Sequence, residues 1–253
     1  MNFLLKNHEY HRTLSFFVSK TNILLFTFLI SISFDIIAQN TVSAEIILND
    51  IKNGKSVSYE NVTINGVFDM TYMDDKLPEL PRKRKWYKGD NSIEQQIEGK
   101  ISFINCVFED DVFAYIHDED TKYTFIANFE NDVAFTNCIF NGEALFKYSD
   151  FDRKADFSKS EFKDRSTFKY VEFKTYVSFA NTTFEEDAIF KYTEFKKGVS
   201  FNSTNFRDDL DIKYVDVNGD FDADNMKVNN KIYAKYADIN GKSFTKYLLN
   251  SKN

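Results

Sequence analysis

Few residues of this chain have the types and spacing for covalent chemistry. Of three histidines in 253 residues, His117 is the one beyond the N-terminal segment, and it is followed by Asp118, Glu119 and Asp120. Imidazole and carboxylates are metal ligands, but such a run also makes an ordinary solvated acidic loop, and that is the reading adopted. Cys106 and Cys138 are the only cysteines and lie in matching contexts, Phe103-Ile104-Asn105-Cys106-Val107-Phe108 and Phe135-Thr136-Asn137-Cys138-Ile139-Phe140. No glycine-rich phosphate loop, nucleophile elbow or Cys-x-x-Cys pair occurs. The sequence therefore predicts no enzyme, no cofactor and no metal site.

Binding chemistry is better represented. Arg82, Lys83, Arg84 and Lys85 run into Trp86, Tyr87 and Lys88, between Pro78, Pro81 and Gly89. A basic run beside the only tryptophan suits an anionic glycan, a lipid head group or a partner protein. A second candidate is the dipeptide Lys-Tyr, which returns every 22 residues at Tyr148, Tyr170, Tyr192, Tyr214 and Tyr236. Each tyrosine is followed two residues on by an acid. Stacked in space, these tyrosines would form a flat aromatic strip flanked by lysines. Such a strip stabilises a ladder and could also serve as a platform for sugar or protein.

A period of 22 held over five copies belongs to a structural repeat. Inside it lies a finer one. Phenylalanines fall at 135, 140, 146, 151, 157, 162, 168, 173, 179, 184, 190, 195, 201 and 206, in alternating steps of 5 and 6. Neither an amphipathic helix nor a two-faced strand gives this spacing. Two residues before most centres sits a small or β-branched residue, such as Ala144, Ser149, Ala155 or Val177. Two positions apart on extended chain, both side chains point the same way, inward, while the intervening polar residues face water.

The pattern resembles the pentapeptide-repeat family, whose unit reads small–polar–large–polar–polar. Ala155-Asp156-Phe157, Ala144-Leu145-Phe146 and Val199-Ser200-Phe201 carry the likeness over roughly residues 60–242. It departs from the simplest form by one extra residue in every second unit. The resemblance implies an all-β fold, a right-handed four-sided β-helix, here with 22 residues per turn. The two cysteines then occupy equivalent positions of stacked turns. Their separation permits a disulfide in an exported protein, and two unpaired inward thiols fit equally well.

A stack of turns has open edges and needs covers. Residues 43–54 predict a capping helix, with Ser43 as N-cap, Ile47, Leu48 and Ile51 on one face, and Gly54 ending it. Residues 243–253 predict a second, shorter helical cap. Asn-Gly pairs at 65–66, 218–219 and 240–241 mark tight turns. Two insertions interrupt the phase, at about 71–99 and about 114–124.

Residues 1–39 read differently. Lys6, Arg12 and Lys20 precede an apolar run from Ile23 to Phe34, and Ala38 and Ala44 offer small-residue cleavage sites. This predicts a signal peptide, or an uncleaved N-terminal membrane anchor, and places the protein in the periplasm or at the cell surface, alternatively on the inner membrane. Removing residues 1–39 takes three bases and two acids and leaves a net charge of −8. Bases and acids interleave, so no nucleic-acid partner is expected. The leading reading is an exported, non-enzymatic structural or interaction module for an unknown protein or anionic glycan. The alternative comes from the resemblance: some family members are cytoplasmic mimics of duplex DNA that bind DNA gyrase.

Overall fold

The computed structural model describes residues 40–80 and 91–246. Short strands, most of them two residues long, stack in parallel into four sheets of eight, nine, seven and seven strands. The sheets are the faces of a right-handed, four-sided β-helix. One turn shows the order: first face Ala155–Asp156, second Glu161–Phe162, third Ser166–Thr167, fourth Glu172–Phe173, then back to the first at Val177–Ser178. Register is kept at 22 residues, as in Phe140↔Phe162↔Phe184↔Phe206.

The alternation of steps has a backbone cause. The five-residue steps turn through a residue with positive φ, such as Lys159 at 62° and Tyr170 at 60°. Each of the Tyr corners from Tyr148 to Tyr236 is closed by a backbone bond, for example from the Val171 N–H to the Phe168 carbonyl. The six-residue steps, such as 162 to 168, take a wider corner, without a positive φ except where Gly198 and Gly219 stand.

The core is a file of rings. Phe168 is fully buried and stacks between Phe146 at 5.2 Å and Phe190 at 5.0 Å, while Phe157 and Phe179 meet it edge-on. The small slots are often polar, and most of their hydroxyls find a carbonyl of the preceding turn, the Ser166 hydroxyl being an exception. Ser160, Thr182, Thr193 and Thr204 donate to the carbonyls of Phe135, Phe157, Phe168 and Phe179 at 2.6–2.9 Å. A buried hydroxyl without a partner would be costly; here it ties turn to turn.

Toward the C-terminal end the phenylalanines give way to Ile212, Val217 and Val228, and Phe221 and Phe244 fold into the thinner core. Lys242–Ser243 turns back antiparallel along Asp238–Ile239, and residues 244–246 are helical.

At the other end the helix Ala44–Lys52 buries Ala44, Ile47 and Ile51 on the stack. Ser43 precedes it, but its side chain makes no capping hydrogen bond. The reason is that Asn40–Ser43 is itself a strand, paired in register with Val62–Asn65. The stack thus begins at Asn40 rather than near residue 60. The Asn-Gly pairs do mark turns, with Gly66, Gly219 and Gly241 at φ 88°, 107° and 77°.

Both insertions leave the stack at one corner, between the third and fourth faces. Phe68 pairs with Val112 and Val112 with Ala144 on the third face; Ile97 pairs with Phe129 and Phe129 with Phe151 on the fourth. The excess residues therefore all fall between 68 and 97, and between 112 and 129. The first insertion holds a helical turn, Met73–Lys76, and a 3-10 turn, Leu77–Glu79. The fourth face lengthens beside them. Ser92–Ile97 and Thr124–Phe129 pair over six residues, and Tyr115–His117 adds an antiparallel strand.

Candidate functional site

The Lys-Tyr dipeptides lie at that same corner. Tyr148, Tyr170, Tyr192, Tyr214 and Tyr236 have φ between 60° and 66°. For a side-chain-bearing residue this costs about 1–2 kcal/mol, which is why turns usually place Gly or Asn there. The opposite corner follows the usual choice. Its left-handed positions are Asn61, Asn105, Asn137, Lys159, Asn181, Ser203 and Asn225. The chain thus uses mostly Asn at one corner, with Lys159 and Ser203 among them, and Tyr at the corner in question. Backbone geometry does not explain the tyrosines, so their side chains must.

Those side chains form a continuous column. Successive ring centroids from Tyr148 to Tyr236 are 5.0, 4.6, 4.6 and 5.0 Å apart, with the middle planes within 12° of parallel. Tyr115, from the second insertion, extends the column at 5.8 Å from Tyr148, tilted by 57°. Ring faces cover one another, so the column offers water its edges and hydroxyls. It is not the flat aromatic strip that the sequence suggests.

Beside the rings runs a row of ammonium groups. Lys147 lies 4.6 Å from the Tyr115 ring and 4.7 Å from the Tyr148 ring, and donates to the Tyr115 hydroxyl at 3.1 Å. Lys169, Lys191 and Lys235 sit 4.8–5.0 Å over their own tyrosines. Only Lys213 has a carboxylate, Asp211 at 3.0 Å, among the described residues. Burial and its neighbours Lys147 and Lys191 hold the Lys169 ammonium below the usual lysine range.

Elsewhere, by contrast, several bases are matched to acids, although Arg153, Lys163 and Lys197 among others also have no ion pair among the described residues. Lys174 reaches Asp152 at 2.6 Å and Asp150 at 3.4 Å; Lys196 reaches Glu194 and Glu172; Arg165 reaches Glu143 at 2.7 Å. Hydrogen bonds from these carboxylates' partners raise the pKa of both Lys174 and Lys196. The acids of the fourth face are thus drawn away from the Lys-Tyr column, toward the next corner.

This middle stretch of the chain is built of pentapeptide repeats. Residues 127–172 and 168–216 match the family model for pentapeptide repeats, and these spans hold the stacked phenylalanines just described. Comparison with curated proteins and with solved structures returned no match. The corner with the tyrosines is also the one where both insertions leave the stack.

The other candidates are placed as follows. Arg82, Lys83, Arg84, Lys85, Trp86 and Tyr87 lie outside the described residues. His117 contacts Thr124 through Nδ1 at 2.9 Å, and the acids after it close a hairpin. Asp118 accepts from the Thr121 hydroxyl and N–H, and Glu119 accepts from Lys122; both carboxyls are lowered by these bonds. Among the described residues no group of three or more potential ligands is placed to hold a metal. Cys106 and Cys138 are buried and unbonded, in successive turns, and Cys138 points its thiol at the Phe103 carbonyl at 3.4 Å.

Sequence reasoning missed two tyrosines of this corner. Tyr115 lies in the second insertion, outside the Lys-Tyr repeat, and its ring heads the column. Tyr72, at φ 54°, occupies the register position of Tyr148 but turns inward, donating to the Leu48 carbonyl at 2.8 Å. Counting 22-residue register through the insertion would have found it, since Met70-Thr71-Tyr72 aligns with Phe146-Lys147-Tyr148.

Proposed function

We propose that this protein is an exported, non-enzymatic binding scaffold whose Lys-Tyr corner is the interaction surface. The phenylalanine file gives a rigid rod, and the corner supplies a periodic row of cations and phenol groups on it. The observation that carries the reading is the choice of Tyr over Asn at the left-handed positions of one corner only. A structural ladder alone could have been built with Asn, as most of the opposite corner is. Export is supported by the order of Lys6, Arg12 and Lys20, the apolar run Ile23 to Phe34, and the small residues Ala38 and Ala44.

The test has two arms. Cells making the full chain are fractionated, and the recovered protein is sequenced from its N-terminus. A mature start between residues 39 and 45, outside the cytoplasm, is expected. A soluble full-length chain in the cytoplasm would overturn export and favour the alternative, a DNA mimic that binds gyrase. In the second arm, envelope extracts are passed over the wild type and over a Tyr170→Asn/Tyr192→Asn variant. Identical retained material would remove the corner from consideration.

A further inference from the structure

We propose that the Lys-Tyr corner binds a linear acidic polysaccharide of the polyuronate type, laid along the solenoid axis with one carboxylate per turn. The inference rests on the reading of this corner as the binding surface and names what it holds.

The first ground is charge. Lys147, Lys169, Lys191 and Lys235 have no carboxylate partner among the described residues, although the chain carries more acids than bases, 39 against 32. At the neighbouring corner Lys174 and Lys196 each engage acids of two turns or of both flanks. A row of like charges about 5 Å apart is self-repulsive. An anionic chain with the same repeat would relieve that repulsion. Its spacing is set by the turn height, about 4.8 Å, close to the advance of one linked pyranose ring.

The second ground is the shape of the aromatic column. Since ring faces are stacked on one another at 4.6–5.0 Å, they are closed to intercalating bases. Single-stranded nucleic acid draws its affinity from such faces, so the column disfavours it. What remains available is a ladder of hydroxyl edges beside ammonium groups, hydrogen-bond donors suited to carboxylate and sugar oxygens.

The third ground is the wall next to the lysines. Over its middle turns the third face presents Phe113, Leu145, Thr167 and Ile189 outward, all half-buried, between Asp69 at one end and Asp211 and Tyr233 at the other. The corresponding positions of the fourth face are Asp150, Glu172, Glu194 and Asp216. A largely apolar wall over the middle turns on one side and an acidic one on the other direct a polyanion onto the corner beside Tyr148, Tyr170 and Tyr192. Sugar rings, with apolar C–H surfaces and polar rims, fit that boundary better than a fully hydrated phosphate chain does.

The test uses the full chain as recovered from the cells that make it. Probes are oligogalacturonides of graded length, neutral maltooligosaccharides of matching length, and oligothymidylate. The variants are Lys169→Met/Lys191→Met at the corner and Lys174→Met/Lys196→Met as a control with the same net charge. The oligogalacturonides should bind, more weakly as salt rises. Affinity should climb with length until the five lysines are spanned. The corner variant should lose about tenfold in affinity, and the control should lose little. Equal binding of the neutral sugars, tighter binding of oligothymidylate, or equal losses in both variants would each overturn the proposal. Should no probe bind while the Tyr170→Asn/Tyr192→Asn variant still loses its envelope partner, the polysaccharide is excluded and the binding surface stands. If that variant loses nothing either, both fail.

Discussion

Tyr170 and Tyr192 lie face to face, 4.6 Å apart with planes 1° from parallel, although both hold a left-handed backbone, φ 60° and 62°. A stacked pair contributes about 0.5–1.5 kcal/mol, and the backbone cost of each tyrosine is of similar size. The two terms nearly cancel. Tyr192→Asn is therefore expected to change stability by less than about 1 kcal/mol, since Asn tolerates the left-handed region. Tyr192→Val should cost about 2–3 kcal/mol, because a β-branched residue is strained there and also loses the stacking. Urea unfolding midpoints compare the two. A Val variant as stable as the Asn variant would show that the corner is not held left-handed.

Phe168 touches rings above, below and on both flanks. Its removal leaves a hole that two-residue strands on a fixed ladder cannot close. Phe168→Ala should cost about 3–5 kcal/mol. Phe221, only partly buried and meeting Phe244 edge-on at 6.3 Å, should cost less on truncation. Thermal or denaturant unfolding ranks the pair, and equal losses would contradict a file packed more tightly in its middle than at its end.

The alternating 5–6 phenylalanine steps made the stack legible, because a ring at each inward position is what a narrow core needs. The conformation of Tyr148, Tyr170 and Tyr192 was not legible. Residue type argues against left-handed tyrosine, and only the stacking and the ring-closing bond to Phe146, Phe168 or Phe190 override it. The strand Asn40–Ser43 was hidden because it carries Val42 where later turns carry Phe. That the insertions and the Lys-Tyr column share a corner follows from register, which needs the pairing of Phe68 with Val112 and of Ile97 with Phe129 to be known.

Cys138 is fully buried, and its hydrogen bond to Cys106, with burial, pushes its thiol above the ordinary cysteine range. In the folded chain it stays protonated where the unfolded chain would ionise. A raised acid pKa means that the folded state keeps its proton as pH passes the unfolded value of 9.0, so stability falls with pH above that point. The slope from one such group is about 1.4 kcal/mol per pH unit. The same hydrogen bond lowers the Cys106 thiol to about 7, a contribution complete by pH 9, so the comparison is made above that point: Cys138→Ala should start lower in stability but lose less as pH rises beyond 9. Parallel curves would count against the shift. Thiol reagents at neutral pH should label neither cysteine before unfolding and both after it.

The last prediction separates the two lysine rows by salt. Lys174 and Lys196 are stabilised as cations by Asp152 and Glu194, and their raised pKa gives stability below the unfolded value of 10.5. Lys169 is shifted the other way by burial, Lys147 and Lys191, so its charge is a cost at neutral pH. Removing two charges from each row leaves the same net charge but opposite local effects. At low salt Lys174→Met/Lys196→Met should therefore be the less stable of the two variants. The gap should be a few tenths to about 1 kcal/mol, since exposed pairs are weak. Screening weakens attraction and repulsion alike, so the gap should narrow as salt rises. Chemical denaturation in urea, which leaves ionic strength free, measures it. A gap of the opposite sign would mean that the corner lysines stabilise the fold, and their lack of carboxylate partners would then need no ligand to account for it.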